Sequence, residues 1–149
     1  MTGYGIVGLH NGKPVRLAAG VLRLGTGSLE ARLGRLHLGL TAIVAEHQPT
    51  ACAVEGVFQH RNARTALILG HARGVCLLAA GLHSLEVVEY PPATVKLSIT
   101  GHGAADKQRV ALMVARLLNT TPEESEDVSD ALALALCHLE SRRPLRVFE

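Results

Sequence analysis

Apolar residues recur along this chain in two rhythms. Leu29, Leu33, Leu36, Leu40, Ile43 and Val44 are spaced three and four apart, one face of an amphipathic helix over 29–47. Ser28 stands where an N-cap belongs, and Pro49 lies just past the end. Ahead of this helix, 3–9 and 15–24 read as two strands. His10-Asn11-Gly12-Lys13 joins them, and Asn-Gly predicts a tight hairpin because both residues tolerate positive φ. The short apolar run Ala51-Cys52-Ala53-Val54-Glu55-Gly56-Val57 has the length and flanks of a buried strand. A long helix over 61–82 follows, then a strand over 85–90. Pro91 and Pro92 open the next helical segment, which Gly101-His102-Gly103 breaks. Residues 104–119 and 125–142 predict two further helices, and the polar tail from Arg142 reads as loose. Strands alternating with helices imply a parallel portion of sheet, and the hairpin adds an antiparallel one. The expected architecture is an α/β domain spanning 1–149, a mixed sheet flanked by helices.

Composition narrows the class. Of 149 residues, 48% are hydrophobic, which argues against disorder and supplies a sizeable core. Charges interrupt every apolar stretch approaching ~18 residues, so no membrane-spanning helix is expected. The N-terminus has no basic segment ahead of an apolar one and does not read as a signal peptide. Cys52, Cys76 and Cys137 are far apart and odd in number, which suits a reducing cytoplasm rather than a zinc site or disulfide framework. A net charge of +2 is compatible with nucleic acid without requiring it. Only three residues are lysines, Lys13, Lys96 and Lys107, so each merits individual weight.

Some residues carry more chemistry than packing needs. Glu55 lies inside an apolar strand, where an unpaired carboxylate is expensive to bury; near the strand's end it faces a cleft or pairs with an arginine. Asp127 and Asp130 sit three apart at the start of a helix and share a face, although the helix dipole alone favours acids there. Together the three form a candidate carboxylate cluster for Mg²⁺ or Mn²⁺, which prefer oxygen ligands. Two such ions can activate water and stabilise the leaving oxygen of a phosphodiester. Lys96 and Lys107 are candidate phosphate contacts, or simply solvated helix lysines. Phe58, between Glu55 and Arg61, can stack on a base or anchor a core. The eight histidines lack metal-binding spacing, and a packing role is expected for His138. Gly3 and Gly5 form a lone GxG, which does not support a nucleotide loop.

Taken in order, these segments resemble the RuvC-type Holliday junction resolvases. Thr2-Gly3-Tyr4-Gly5 is similar to the family's opening hairpin strand, and CAVEGVF at 52–58 to its second catalytic strand. Arg61-Asn62-Ala63 and Leu69-Gly70-His71-Ala72-Arg73-Gly74 resemble the helix that follows. Pro91-Pro92, Val95-Lys96, Gly101, Ala105-Asp106-Lys107-Gln108-Val110 and Asp127-x-x-Asp130-Ala131-Leu132-Ala133 complete the series, which covers essentially the whole chain. The resemblance implies a ribonuclease H-like fold, a homodimer, binding to four-way DNA junctions and paired symmetric nicking. It implies that Glu55, Asp127 and Asp130 bind catalytic Mg²⁺, two ions per site with Mn²⁺ as a substitute. It implies that Lys96 and Lys107 assist DNA binding and catalysis, that Phe58, Arg61, Asn62 and Arg73 engage DNA, and that RuvA and RuvB are partners. One element departs from the pattern. The family begins with a strand carrying Asp-Pro-Gly ahead of Thr-Gly-Tyr-Gly, and that Asp bridges the metals; here Met1 precedes Thr2, and the first acidic residue is Glu30. The resemblance therefore predicts an N-terminally truncated domain with its first central strand missing. It also predicts impaired cleavage, with a junction-binding dimer that does not cut as the alternative activity.

Overall fold

The structure is a computed structural model and describes residues 1–56 and 61–143. Strand β1 (Thr2–His10) pairs antiparallel with β2 (Lys13–Leu22), from Thr2 opposite Leu22 to His10 opposite Lys13. Asn11 (φ 50°) and Gly12 (φ 73°) turn the hairpin in the left-handed region, as the Asn-Gly pair predicts. The register slips between Ile6 and Val7, a bulge that leaves Leu17 exposed. Helix α1 (Leu29–His47) starts at Ser28, whose hydroxyl accepts from the Ala31 amide at 3.4 Å. Strand β3 (Ala51–Glu55) and β4 (Glu86–Tyr90) run parallel, with α2 (Ala63–Leu82) as their crossover and Glu55 opposite Tyr90. Three helices complete the chain: α3 (Pro92–Thr100), α4 (Lys107–Leu118) and α5 (Glu126–Ser141).

Both expected portions of sheet are present, but as separate two-stranded pieces. Among the described residues β1 pairs only with β2, and β3 only with β4. Two helices also begin later than the apolar pattern suggests. Asn62 caps α2, accepting from the Arg64 and Thr65 amides at 3.0 and 3.3 Å, and Asp106 caps α4, accepting from Arg109 at 2.8 Å. These side chains satisfy amide groups that have no partner inside the helix. Of the tail expected from Arg142, the stretch 144–149 lies outside the described residues.

The core is built around α5. Val128, Leu132, Leu136 and Cys137 are buried on one side of it, against Val95 and Ile99 of α3 and Val110, Val114 and Leu118 of α4. Val7, Ala19 and Val21 of the hairpin pack against this cluster. The hairpin approaches so closely that only glycine fits at two positions. A Cβ on Gly3 would run into the Asp127 carbonyl, and one on Gly5 would lie 2.7 Å from Leu132 Cδ2. Gly3 and Gly5, uninformative as a nucleotide motif, are the seat on which α5 rests.

Helix α2 is different. Contrary to the expectation from charge spacing, it is, among the described residues, the one helix long and apolar enough to cross a membrane by length and composition, and little of it is buried. Arg73 interrupts it and fastens it to the sheet: its guanidinium donates to the Glu55 carbonyl and pairs with Glu89 on β4. The opposite stripe, with Leu67, Gly70, Gly74, Leu78 and Leu82, is exposed.

Candidate phosphodiester-cleaving site

The exposed start of α5 carries the candidate acids. Glu126 and Asp127 occupy its first turn, where the helix dipole favours negative charge. Asp130 follows one turn on, and the buried positions Val128, Ser129 and Leu132 turn the acidic positions outward. Asp127 is tied to the hairpin through the Gly3 seat, so its placement depends on how closely α5 sits on β1.

Lys107, first residue of α4, reaches across to these acids. Its Nζ donates to Glu126 Oε2 at 3.0 Å and lies 3.8 Å from Asp130 Oδ2. The hydrogen bond to Glu126, with the Asp130 charge next, holds the Lys107 pKa above its ordinary value. Burial pushes the Asp130 carboxyl up, Lys107 and Lys96 pull it down, and the neighbouring Glu126 and Asp127 charges push it up again. Lys96 on α3 is half-buried, so both candidate lysines act electrostatically on the same aspartate. The structure thus brings Asp127, Asp130, Lys96 and Lys107 into one neighbourhood.

Glu55 ends β3 and is exposed there, opposite Tyr90. It is not gathered with the aspartates into a closed cluster: among the described residues, no three His, Cys, Asp or Glu side chains are arranged to hold a metal ion. The donors fit a hard cation in their chemistry, being carboxylates alone. A magnesium ion is typically held by only one or two carboxylates, with substrate phosphates and water completing its shell. The Asp127–Asp130 pair, whose mutual repulsion helps to raise the Asp130 pKa, meets that description.

The remaining candidates fall in several places. Arg61 is exposed just ahead of α2. Asn62 is exposed too, with its Oδ1 engaged as the α2 cap. Arg73 is half-buried and braces the backbone of Glu55, a scaffold contact that the sequence reading missed. Phe58 lies outside the described residues. His138 packs as expected, with its ring edge-on to Tyr90 at 5.9 Å, and does more: its Nδ1 lies 2.8 Å from the Tyr90 hydroxyl, which also lies 2.8 Å from Ser141 Oγ. These contacts join the end of α5 to the strand paired with Glu55. Glu126 was also missed. Its signal was its i,i+4 spacing from Asp130, two like charges that call for a cation between them.

The sequence model of the family described as crossover junction endodeoxyribonuclease RuvC matches residues 1–138. The chain belongs to the RuvC family. Its relatives include the crossover junction endodeoxyribonuclease RuvC of Halorhodospira halophila, 51% identical over 144 residues that make up 95% of this chain and 85% of the relative. The RuvC of Methylococcus capsulatus is 46% identical over 145 residues, 97% of this chain and 87% of that protein. Among solved structures, T. thermophilus RuvC in complex with Holliday junction substrate superposes with a TM-score of 0.85 at 33% identity, covering 91% of this chain and 84% of that one. The Thermus thermophilus RuvC structure gives 0.82 at 34% identity, covering 92% and 86%. The RuvC fold is therefore retained although the described strands form two separate pairs.

Proposed function

We propose that this protein is a structure-specific endodeoxyribonuclease that resolves four-way DNA junctions by paired symmetric nicks during recombination and repair. The observation that carries this reading is the site at the α5 start, two aspartates with a lysine from α3 and another from α4, in a chain that matches RuvC from residue 1 to 138. Water is the nucleophile. Asp127 and Asp130 would hold Mg²⁺, which supplies Lewis-acid activation, and the family resemblance adds Glu55 from β3 to them; two ions per site, replaceable by Mn²⁺, are the family's arrangement. Lys107 and Lys96 offset negative charge on the phosphate undergoing attack. Arg61 and Asn62 meet DNA beside the α2 start, Phe58 engages it by family resemblance, and Arg73 acts chiefly by holding Glu55.

A homodimer is part of the proposal. Leu67, Leu78 and Leu82 are 63%, 54% and 66% exposed on one stripe of α2, interleaved with Gly70 and Gly74, and apolar patches of this kind mark interfaces. A second copy of the same stripe is the self-complementary partner, and two-fold symmetry sets one site on each cut strand. The cytoplasm as location and RuvA and RuvB as partners follow from the family resemblance.

Nicking of a synthetic four-way junction in Mg²⁺, compared with a linear duplex, tests the reading. Paired, symmetric cuts in the junction alone are expected, slower than a site with the family's fourth carboxylate would make them, and abolished by chelator and by Glu55→Gln. A folded protein that binds junctions yet leaves them intact would overturn the assignment.

A further inference from the structure

Lys107 has two carboxylates within reach, and they hold it unequally. Glu126 Oε2 takes a hydrogen bond at 3.0 Å, whereas Asp130 Oδ2 stands off at 3.8 Å. Lysine is a point charge on a flexible four-carbon stem, so its ammonium sits wherever its partners fix it. Lys107 is 65% exposed and Glu126 76% exposed, so packing does little of that fixing. Both residues stand at helix starts. Asp106 caps α4 immediately before Lys107, and Glu126 opens α5. Glu126 belongs to none of the groups placed above in contact with metal or DNA.

We infer that Glu126 is a positioning residue that tethers the Lys107 ammonium between α4 and α5, ready for a phosphate oxygen and held off the Asp130 carboxylate. Glu126 and Asp130 compete for one cation. With Glu126 present, Lys107 takes the nearer partner and Asp130 Oδ2 keeps its capacity for another. Without Glu126, the nearest carboxylate to Lys107 is Asp130 itself, and the ammonium closes on a group needed for cleavage. The inference rests on the proposed role of Lys107 and Asp130 in cutting junctions.

Junction-cleavage kinetics with Glu126→Ala and Glu126→Asp, each with and without Lys107→Ala, provide the first arm. Glu126→Ala is expected to lower kcat about threefold to fivefold, the most that one exposed ion pair supports, with KM for the junction unchanged. Glu126→Asp, which keeps the charge, restores part of the loss. In the Lys107→Ala background, Glu126→Ala should have no further effect, because the two residues act as one unit. An equal loss in that background, or an unchanged kcat in Glu126→Ala, overturns the tether. The second arm needs no cleavage. With three lysines in the chain, nitrogen-15 spectra of their ammonium groups can be assigned by Lys107→Arg. A Lys107 signal protected from water exchange, and lost in Glu126→Ala, supports the tether; an unprotected signal in the parent overturns it. If the parent fails to cut junctions while the signal is protected, it is the nuclease reading that falls.

Discussion

Replacing Gly3 by alanine adds one methyl group at the place where α5 rests on the hairpin. That methyl would run into the Asp127 carbonyl and stand 2.8 Å from the Asp127 Cβ. Carbon atoms pack at about 3.5–4.0 Å, so the first turn of α5 must retreat by about 1 Å. Side-chain rotation cannot relieve the clash, because the obstacle includes backbone. Overpacking of this kind costs about 1–3 kcal/mol. For a chain of this length, that lowers Tm by roughly 3–10 °C. The larger effect falls on chemistry. Asp127 moves with the backbone, and a misplacement of about 1 Å in a catalytic group can cost roughly a hundredfold in rate. Junction cleavage below the transition temperature should therefore fall far more than the folded fraction does. Gly34→Ala is the control: it lies within α1 with nothing within 4 Å of the added atom, and it should raise stability by up to about 1 kcal/mol without touching cleavage. Gly3→Ala protein with the parent's Tm would refute the close seat. A lowered Tm with undiminished cleavage per folded molecule would refute the link from that seat to Asp127.

Arg73→Ala removes the brace on the Glu55 carbonyl and the Glu89 pair; urea unfolding should show a loss of about 1–2 kcal/mol, and Glu89→Gln should add little in the Arg73→Ala background. Additive losses would separate the two contacts. Leu78→Glu places a charge on the exposed α2 stripe and should shift sedimentation from dimer to monomer, whereas Leu97→Glu, at an equally exposed leucine of α3, should not. Burial raises the Asp130 pKa above its ordinary 3.8, so the folded state holds that proton more tightly than the unfolded chain. This contribution is fully present below 3.8 and is lost as pH rises through the higher folded value. Asp130→Asn should accordingly abolish cleavage yet raise Tm at pH 7, with the gain shrinking toward acid pH; a lower Tm at neutral pH would refute the argument. Tyr90→Phe loses the hydroxyl contacts to His138 and Ser141, for which about 1 kcal/mol in thermal or chemical unfolding is expected.

Local signals in the sequence were sufficient for local structure. Asn11-Gly12 dictates its turn, Ser28 its helix start and the leucine spacing the span of α1, because each depends on neighbours within a few residues. The apolar pattern was less reliable at helix starts. It extended two helices into their caps, since Asn62 and Asp106 hold the chain by hydrogen bonds that hydrophobic periodicity does not register. Contacts between distant segments were harder still. Gly3 and Gly5 meet α5 more than 120 residues along the chain, and a GxG pair carries no mark of its future neighbour. Arg73 read equally well as a DNA contact, because nothing nearby in sequence announces Glu55 or Glu89 as its partners. The order of strands and helices was legible, whereas the division of the described strands into two pairs was legible only through the family resemblance, with its missing central strand, and not from any strand's own pattern.

Because the sheet is divided, α5 is the element that relates its two pieces. At its start, Asp127 and Leu132 rest on Gly3 and Gly5 of β1. At its far end, His138 and Ser141 hold Tyr90 of β4, and Arg142, just beyond, pairs with Glu86 of the same strand. Tyr90 in turn sits in register with Glu55. The eleven residue-to-residue steps from Asp127 to His138 span about 16 Å of helix, and a buried helix of that length transmits displacement rather than absorbing it. The spacing between the α5 aspartates and Glu55 is thus set at both ends of one rigid element. A change at Gly3 moves the aspartates relative to Glu55, and a change at Tyr90 moves Glu55 relative to the aspartates. Residues that touch neither DNA nor metal therefore govern whether the carboxylates can act together.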